Sequence, residues 1–240
     1  MEVGGGFVPI GYLASQAPTF NLYGDGTVIY RSPQSQDPNP LASPYSDVIR
    51  SPRFSTGRLA EAEVQDLLAF ALDTGGLRAA AENYDPGNIA DAPSTIFTIH
   101  ADGIDKEVTI VALGIEPWPT AEPAVEGFTR LAERLDALDI WGKLPGTYTP
   151  ERYRSILTEL TLEQPLQVYP WPWPDRKPED WAIPTEQRRP QFPSLVLAPA
   201  DVAALGISEP EGGFQNLLLR GPDDKVYALA IRPLLPDESS

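Results

Sequence analysis

Apolar and polar residues alternate along three pairs of segments, and each pair is separated by a tight-turn signal. Asp25-Gly26 separates the first pair, Asp102-Gly103 the second, and residues 221–224 the third. Alternation with a period of two predicts half-buried β-strands. Asp-Gly favours a type I′ turn, because both of its central residues tolerate positive φ. The pattern therefore predicts three β-hairpins.

Apolar residues recur with helical spacing in two other segments. Leu59 to Leu72 forms one apolar face, and Gly75-Gly76 is predicted to end this helix. Residues 121–138 form a second amphipathic segment, which Thr120 precedes as an N-cap candidate. The first 140 residues are thus predicted to contain a hairpin, a helix, a second hairpin and a second helix.

Two short strings suggest an internal repeat. FNLYGDG at 20–26 and FTIHADG at 97–103 share Phe, an aliphatic residue, an aromatic ring, a small residue and Asp-Gly at matching positions. We therefore predict an α+β fold in which residues 19–140 form a duplicated ββα unit. The two copies are expected to share one antiparallel sheet with the helices on one face, after a flexible leader at residues 1–18.

Residues 141–240 are less regular and are predicted to be a smaller Pro/Trp-rich region that contains β-structure and ends in the third hairpin. Residues 149–162 fit a helix with Thr149 as N-cap, but they fit a strand equally well. Pro199 to Leu205 is predicted to form a short helix ended by Gly206.

The composition excludes several classes of function. The chain has 18 Lys and Arg against 34 Asp and Glu, a formal charge of −16, which repels nucleic acids and anionic lipids. No cysteine is present, so thiol catalysis and disulfides are excluded. No apolar run predicts a transmembrane segment, and the first residues lack the basic and apolar parts of a signal peptide.

The candidate catalytic residues are few. His100 is the single histidine and occupies the position of Tyr23 in the repeat, which favours a structural role. No nucleophile motif accompanies it, and the phosphate-binding and calcium-binding loop patterns are absent from the sequence. We therefore predict no catalytic residue, no metal and no cofactor.

The stretch from Tyr169 to Pro174 alternates aromatic residues with proline. This pattern favours polyproline II and could present rings to an envelope protein, a peptide or a glycan. The candidate partner-binding aromatics are Tyr169, Trp171, Trp173 and Trp118. In the alternative interpretation, the indoles fill the core of the C-terminal region.

Several strings resemble a known group of proteins. They are LYGDGTV at 22–28, GRL at 57–59, DAPST at 91–95, FVP at 7–9 and the ending YALAIRPLLPDE at 227–238. They resemble an uncharacterised family of bacterial, actinobacterial-type exported proteins and lipoproteins. The resemblance implies a secreted protein, or one anchored through a lipid upstream of these residues, and it assigns no functional residue.

Together these features predict a non-catalytic binding module of the cell envelope. Two alternatives stay open. One is a carboxylate-dependent hydrolase that acts on envelope glycans or peptides, because two suitably placed carboxylates are enough for glycoside hydrolysis. The other is a structural component of a surface complex.

Overall fold

The computed structural model describes residues 1–6, 15–31, 48–87, 89–115, 123–136, 146–161, 166–183 and 192–238. Within these ranges the protein is α+β and consists mostly of strands. Its elements are β1 (Glu2–Gly5), β2 (Phe20–Leu22), β3 (Thr27–Tyr30), β4 (Ile49–Arg50), β5 (Ser55–Arg58), α1 (Glu61–Ala69), β6 (Asn83–Tyr84), β7 (Pro93–Ala101), β8 (Ile104–Val111), α2 (Pro123–Asp136), β9 (Gly146–Thr147), β10 (Tyr153–Leu160), β11 (Tyr169–Pro170), β12 (Ser194–Leu197), α3 (Pro199–Ala203), β13 (Phe214–Arg220) and β14 (Val226–Pro233).

The chain forms two compact units built from separated segments. The first unit comprises Met1–Val8, Pro18–Gln34 and Phe54–Thr147, and the second comprises the remaining residues to Ser240. Residues 48–53, which precede a long segment of the first unit in the sequence, belong to the second unit. The reason is that β4 pairs with β13.

The first unit contains both predicted N-terminal hairpins, but they do not share a sheet. The β2–β3 hairpin lies in a sheet of order β2-β3-β5-β9, and the β7–β8 hairpin in one of order β1-β7-β8-β6. The prediction of one shared antiparallel sheet is therefore wrong. In the first sheet, β5 pairs with the edge of β3 that β2 leaves free. In the second sheet, β1 pairs antiparallel with β7, and β6 pairs parallel with β8.

The two hairpins also turn differently. Asp102 and Gly103 have φ of 53° and 72°, as a type I′ turn requires. In the first hairpin, by contrast, Gly26 has positive φ and Asp25 does not. The Asp25 carboxylate instead accepts hydrogen bonds from the backbone N–H and the hydroxyl of Thr27, each at 2.9 Å. The prediction of one common turn is thus wrong for the first hairpin.

The start of the chain is part of a sheet. Strand β1 pairs antiparallel with β7, placing Val3 opposite Thr95. The N-terminal amine of Met1 donates to the carbonyl of Phe20 at 2.7 Å, and Ala17 is buried. The prediction of a flexible leader over residues 1–18 is therefore wrong for the described residues 1–6 and 15–18, because backbone pairing and burial hold them in place. Residues 7–14 lie outside the described part.

One apolar core unites the elements of the first unit. Val28 and Tyr30 of the first hairpin, Phe97 of the second, and Phe128 and Leu131 of α2 belong to one cluster. Both predicted helices form, although α1 ends in a π-helical turn at Phe70–Thr74. The N-cap candidate Thr120 lies outside the described residues.

The second unit is built on a sheet of order β11-β13-β14-β10-β12, with β4 also paired to β13. The predicted C-terminal hairpin is confirmed as β13–β14, with an irregularity between Phe214 and Leu217. Residues 149–162 fitted a helix and a strand equally well in the sequence, and the structure contains a strand there, β10. It pairs with β14 along its whole length and with β12 on its other side.

No helix in the described ranges is long and apolar enough to cross a membrane.

Candidate functional site

The candidate site is the tryptophan loop, residues 169–181 of the second unit. It begins at β11, which runs parallel to β13, and ends next to Ala182, which bridges to Ser194 at the start of β12. Pro170, Pro172 and Pro174 lack backbone N–H groups, so this segment does not extend as a strand. The loop therefore carries its aromatic rings back to the sheet instead of continuing it.

The loop packs three indoles edge to face or tilted against one another. Ring centroids lie 5.3 Å apart for Trp171 and Trp173, 5.7 Å for Trp171 and Trp181, and 5.5 Å for Trp173 and Trp181. Trp173 is 4% exposed and Trp181 is 5% exposed, whereas Trp171 is half-buried. The two buried indoles belong to the core of the second unit.

Each indole N–H has an acceptor within the second unit. Trp171 donates to the carbonyl of Arg176 at 3.0 Å, Trp173 to the carbonyl of Asp201 at 2.9 Å, and Trp181 to the hydroxyl of Ser155 at 2.9 Å. Buried indole N–H groups need such partners. The three hydrogen bonds fix the orientation of all three rings.

These positions change the sequence-based assignments. Trp173 is buried in the core of the second unit, as the core-filling alternative describes, and it offers almost no surface to a partner. Tyr169 and Trp171 are half-buried and retain accessible surface. Trp118 lies outside the described residues. Trp181, which the prediction did not include among the site residues, proves to be central to the cluster.

An ion pair fastens the loop to α3. The Arg176 guanidinium lies 2.7 Å from the Asp201 carboxylate, which also accepts the backbone N–H of Ala198 at 3.0 Å. Burial disfavours the charged form of Asp201, but the hydrogen bonds from Arg176 and Ala198 outweigh it and hold its pKa below the usual value. No local sequence pattern links Arg176 with Asp201, so only the folded chain reveals this contact.

Acidic side chains lie beside the accessible edge of the loop. The Trp171 ring contacts Tyr227, whose hydroxyl donates to Asp223 at 2.7 Å. Burial and the Asp223 carboxylate raise the pKa of Tyr227, so it stays a protonated donor. Glu159 lies nearby and pairs with Lys225 at 2.8 Å. An aromatic surface flanked by carboxylates can accept hydrogen bonds from hydroxyl or ammonium groups.

His100 lies elsewhere, on β7 of the first unit. Its Nδ1 lies 2.8 Å from Asp105 across the hairpin, and the two side chains are 69% and 87% exposed. This is a solvent-exposed cross-strand pair, which has a small effect on stability. In the described parts of the chain, no three His, Asp or Glu side chains are grouped as metal ligands.

Comparison of the chain with protein-family models, with curated proteins and with solved structures gave no match. The resemblance to exported bacterial proteins therefore stays a prediction from the quoted strings.

Proposed function

We propose that this protein is a non-catalytic binding module of the bacterial cell envelope, exported or lipid-anchored, and that its tryptophan loop binds an envelope glycan. The observation that carries the proposal is the accessible side of Trp171 in a loop whose indole N–H groups are all bonded within the protein. The resemblance to exported proteins supports the location.

A fixed ring lowers the entropic cost of binding. Ordering a mobile side chain at an interface costs about 0.5–1.5 kcal/mol. Trp171 is held by its hydrogen bond to Arg176 and by ring contacts with Trp173 and Trp181 before any ligand arrives. A ligand that stacks on its accessible side therefore gains aromatic contact without ordering the loop.

The charge of the protein disfavours an anionic ligand. A formal charge of −16 repels anionic polymers. The carboxylates of Asp223 and Glu159 beside Tyr227 are acceptors for hydroxyl groups. Neutral polysaccharide offers hydroxyl donors and C–H faces that pack on aromatic rings. A basic peptide is the rival ligand, and the experiment distinguishes the two.

We also propose that the first unit originated from duplication of a ββα unit. Its support is the matching strings at 20–26 and 97–103 and the presence of a helix after each hairpin, α1 and α2. Separate sheets would then reflect divergence of the strands that pair with each hairpin.

Binding to insoluble cell-wall polysaccharide from an actinobacterium tests the proposal. We expect the wild-type protein to co-sediment and to show reduced acrylamide quenching of tryptophan fluorescence when bound. Trp171→Leu keeps apolar volume but removes the ring, and we expect it to weaken binding about fivefold, because an aromatic contact contributes ~1 kcal/mol.

Ile183→Ala is the matched control. Ile183 is 56% exposed, lies just beyond the loop and is not part of the aromatic cluster. Equal binding by both variants would contradict a role for Trp171. Binding of a lysine-rich peptide and not of polysaccharide would show that the ligand is a basic peptide and would contradict the proposed glycan. Recovery of the full-length gene product from the cytosol of its native bacterium would contradict the location.

A further inference from the structure

Two arginines face each other in the sheet of the second unit. Arg154 on β10 is directly opposite Arg232 on β14 in the antiparallel register. Opposed residues in such a pair project from the same face of the sheet with their Cβ atoms about 5 Å apart. We call these residues the arginine pair.

A single carboxylate neutralises one member of the pair. Glu238 accepts two hydrogen bonds from Arg232, from Nη1 at 2.8 Å and from Nη2 at 2.6 Å. Its carboxylate also accepts the backbone N–H of Leu235 at 2.8 Å, and its carbonyl accepts from Arg152 at 2.8 Å. The segment after β14 thus folds back and places Glu238 on Arg232.

The second arginine has no carboxylate of its own, although the charge of Glu238 also acts on it. Among the described residues, the Nε atom of Arg154 is buried without an acceptor. The Nε atom of Arg232 is likewise buried and lacks an acceptor. Burial and the charge of Arg232 lower the pKa of Arg154, consistent with two cations that share one carboxylate.

We propose that the arginine pair binds a small oxyanion, the phosphate or carboxylate group of a ligand, and that Glu238 competes with it as an internal occupant. Arg154 is half-buried, so part of the residue is open to solvent although its Nε atom is buried. Guanidinium groups bind oxyanions through paired, charge-assisted hydrogen bonds. The site is notable in a chain whose formal charge is −16, because most of its surface repels anions.

Titration of the 240-residue chain with inorganic phosphate, at constant ionic strength maintained with chloride, tests the site. We expect saturable shifts of the Arg154 and Arg232 side-chain Nε–H signals in nitrogen-15 spectra. A parallel titration with acetate distinguishes a phosphate site from a carboxylate site. R154Q is expected to abolish saturation. R220Q is the matched control, because Arg220 pairs with Asp224 on the exposed side of the third hairpin.

Glu238 provides the sharper test. E238Q removes the competing charge, so we expect it to bind the anion about tenfold more tightly than wild type. E238D keeps the charge on a shorter side chain, and we expect its affinity for the anion to lie between those of wild type and E238Q. Linear shifts that are equal in wild type and R154Q would overturn the proposal, as would unchanged or weaker binding by E238Q. Either result would leave the pair as a structural contact.

Discussion

At the scale of single residues, Gly26 in the turn between β2 and β3 carries an unusual constraint. Its φ is +87°, and a Cβ atom at this position would lie 2.6 Å from the carbonyl oxygen of Leu59. The Leu59 N–H donates to the carbonyl of Gly26 at 2.8 Å. The turn is therefore bonded to Leu59, two residues before α1, and its glycine is needed for close approach as well as for its φ.

We expect Gly26→Ala to lower the free energy of unfolding by about 2–4 kcal/mol, because backbone strain adds to a clash with Leu59. Gly103 is the matched control: its φ is +72°, but nothing lies within 4 Å of an added Cβ. Gly103→Ala should therefore cost only about 1 kcal/mol. Urea unfolding of both variants measures the difference, and equal losses would contradict the close-approach argument.

The same two turns show which features of a turn can be predicted from its local sequence. Asp102-Gly103 adopts the predicted turn because its two residues alone connect β7 to β8. Asp25-Gly26 does not, because its loop is longer and the Asp25 carboxylate bonds to Thr27. The contact of Gly26 with Leu59 is distant in sequence, so no local pattern could predict it.

At the scale of elements, the tryptophan loop depends on its attachment to α3. The Arg176–Asp201 pair is partly buried, with side chains 29% and 23% exposed. The Arg220–Asp224 pair of the third hairpin is 52% and 89% exposed. Partly buried pairs that also receive backbone hydrogen bonds contribute more to stability than exposed ones.

We expect Arg176→Ala to lower the free energy of unfolding by about 1–2 kcal/mol and to increase the quenching of tryptophan fluorescence by acrylamide, because the loop loses its fastening to α3. Arg220→Ala should change either quantity little, with a loss below about 0.5 kcal/mol. Unfolding midpoints and quenching constants give both readouts. A loss of stability in Arg176→Ala without a change in quenching would contradict the role assigned to the loop attachment.

Elements with a strong local period were predictable, and those defined by their partners were not. The two amphipathic helices and all three hairpins follow from spacing and turn residues. Strand β10 could not be separated from a helix, because its identity comes from pairing with β14 and β12 on its two sides. The tryptophan loop was found by composition, but its buried rings are held by residues distant in the sequence. Trp173 donates to Asp201, and Trp181 donates to Ser155.

At the scale of the whole molecule, the sheets are assembled from distant segments. Strand β1 at the start of the chain joins β7, and β4 joins β13. Hydrophobic alternation identifies which face of a strand is buried, but it does not identify the neighbouring strand. This is why the sequence predicted one shared sheet where the first unit has two.

The pH dependence of folding provides a test of the segment after β14. Burial disfavours the charged form of Glu238, but the hydrogen bonds and charge of Arg232 outweigh it and lower the pKa of Glu238 below the usual value of a glutamate side chain. A carboxyl whose pKa is lowered by folding binds fewer protons in the native state. Its contribution to stability is complete above the unfolded pKa and is lost as the pH falls through the folded pKa.

We therefore expect Glu238→Gln to lower the free energy of unfolding by about 2–4 kcal/mol at pH 7, because Arg232 loses its charged partner. The difference from wild type should shrink as the pH falls below about 4.5 and vanish below the folded pKa. Chemical unfolding across this range, in chloride buffers free of phosphate, measures the difference without an anion that could replace the carboxylate. A difference that stays constant with pH would show that Glu238 stabilises the segment through packing and hydrogen bonding and not through its charge.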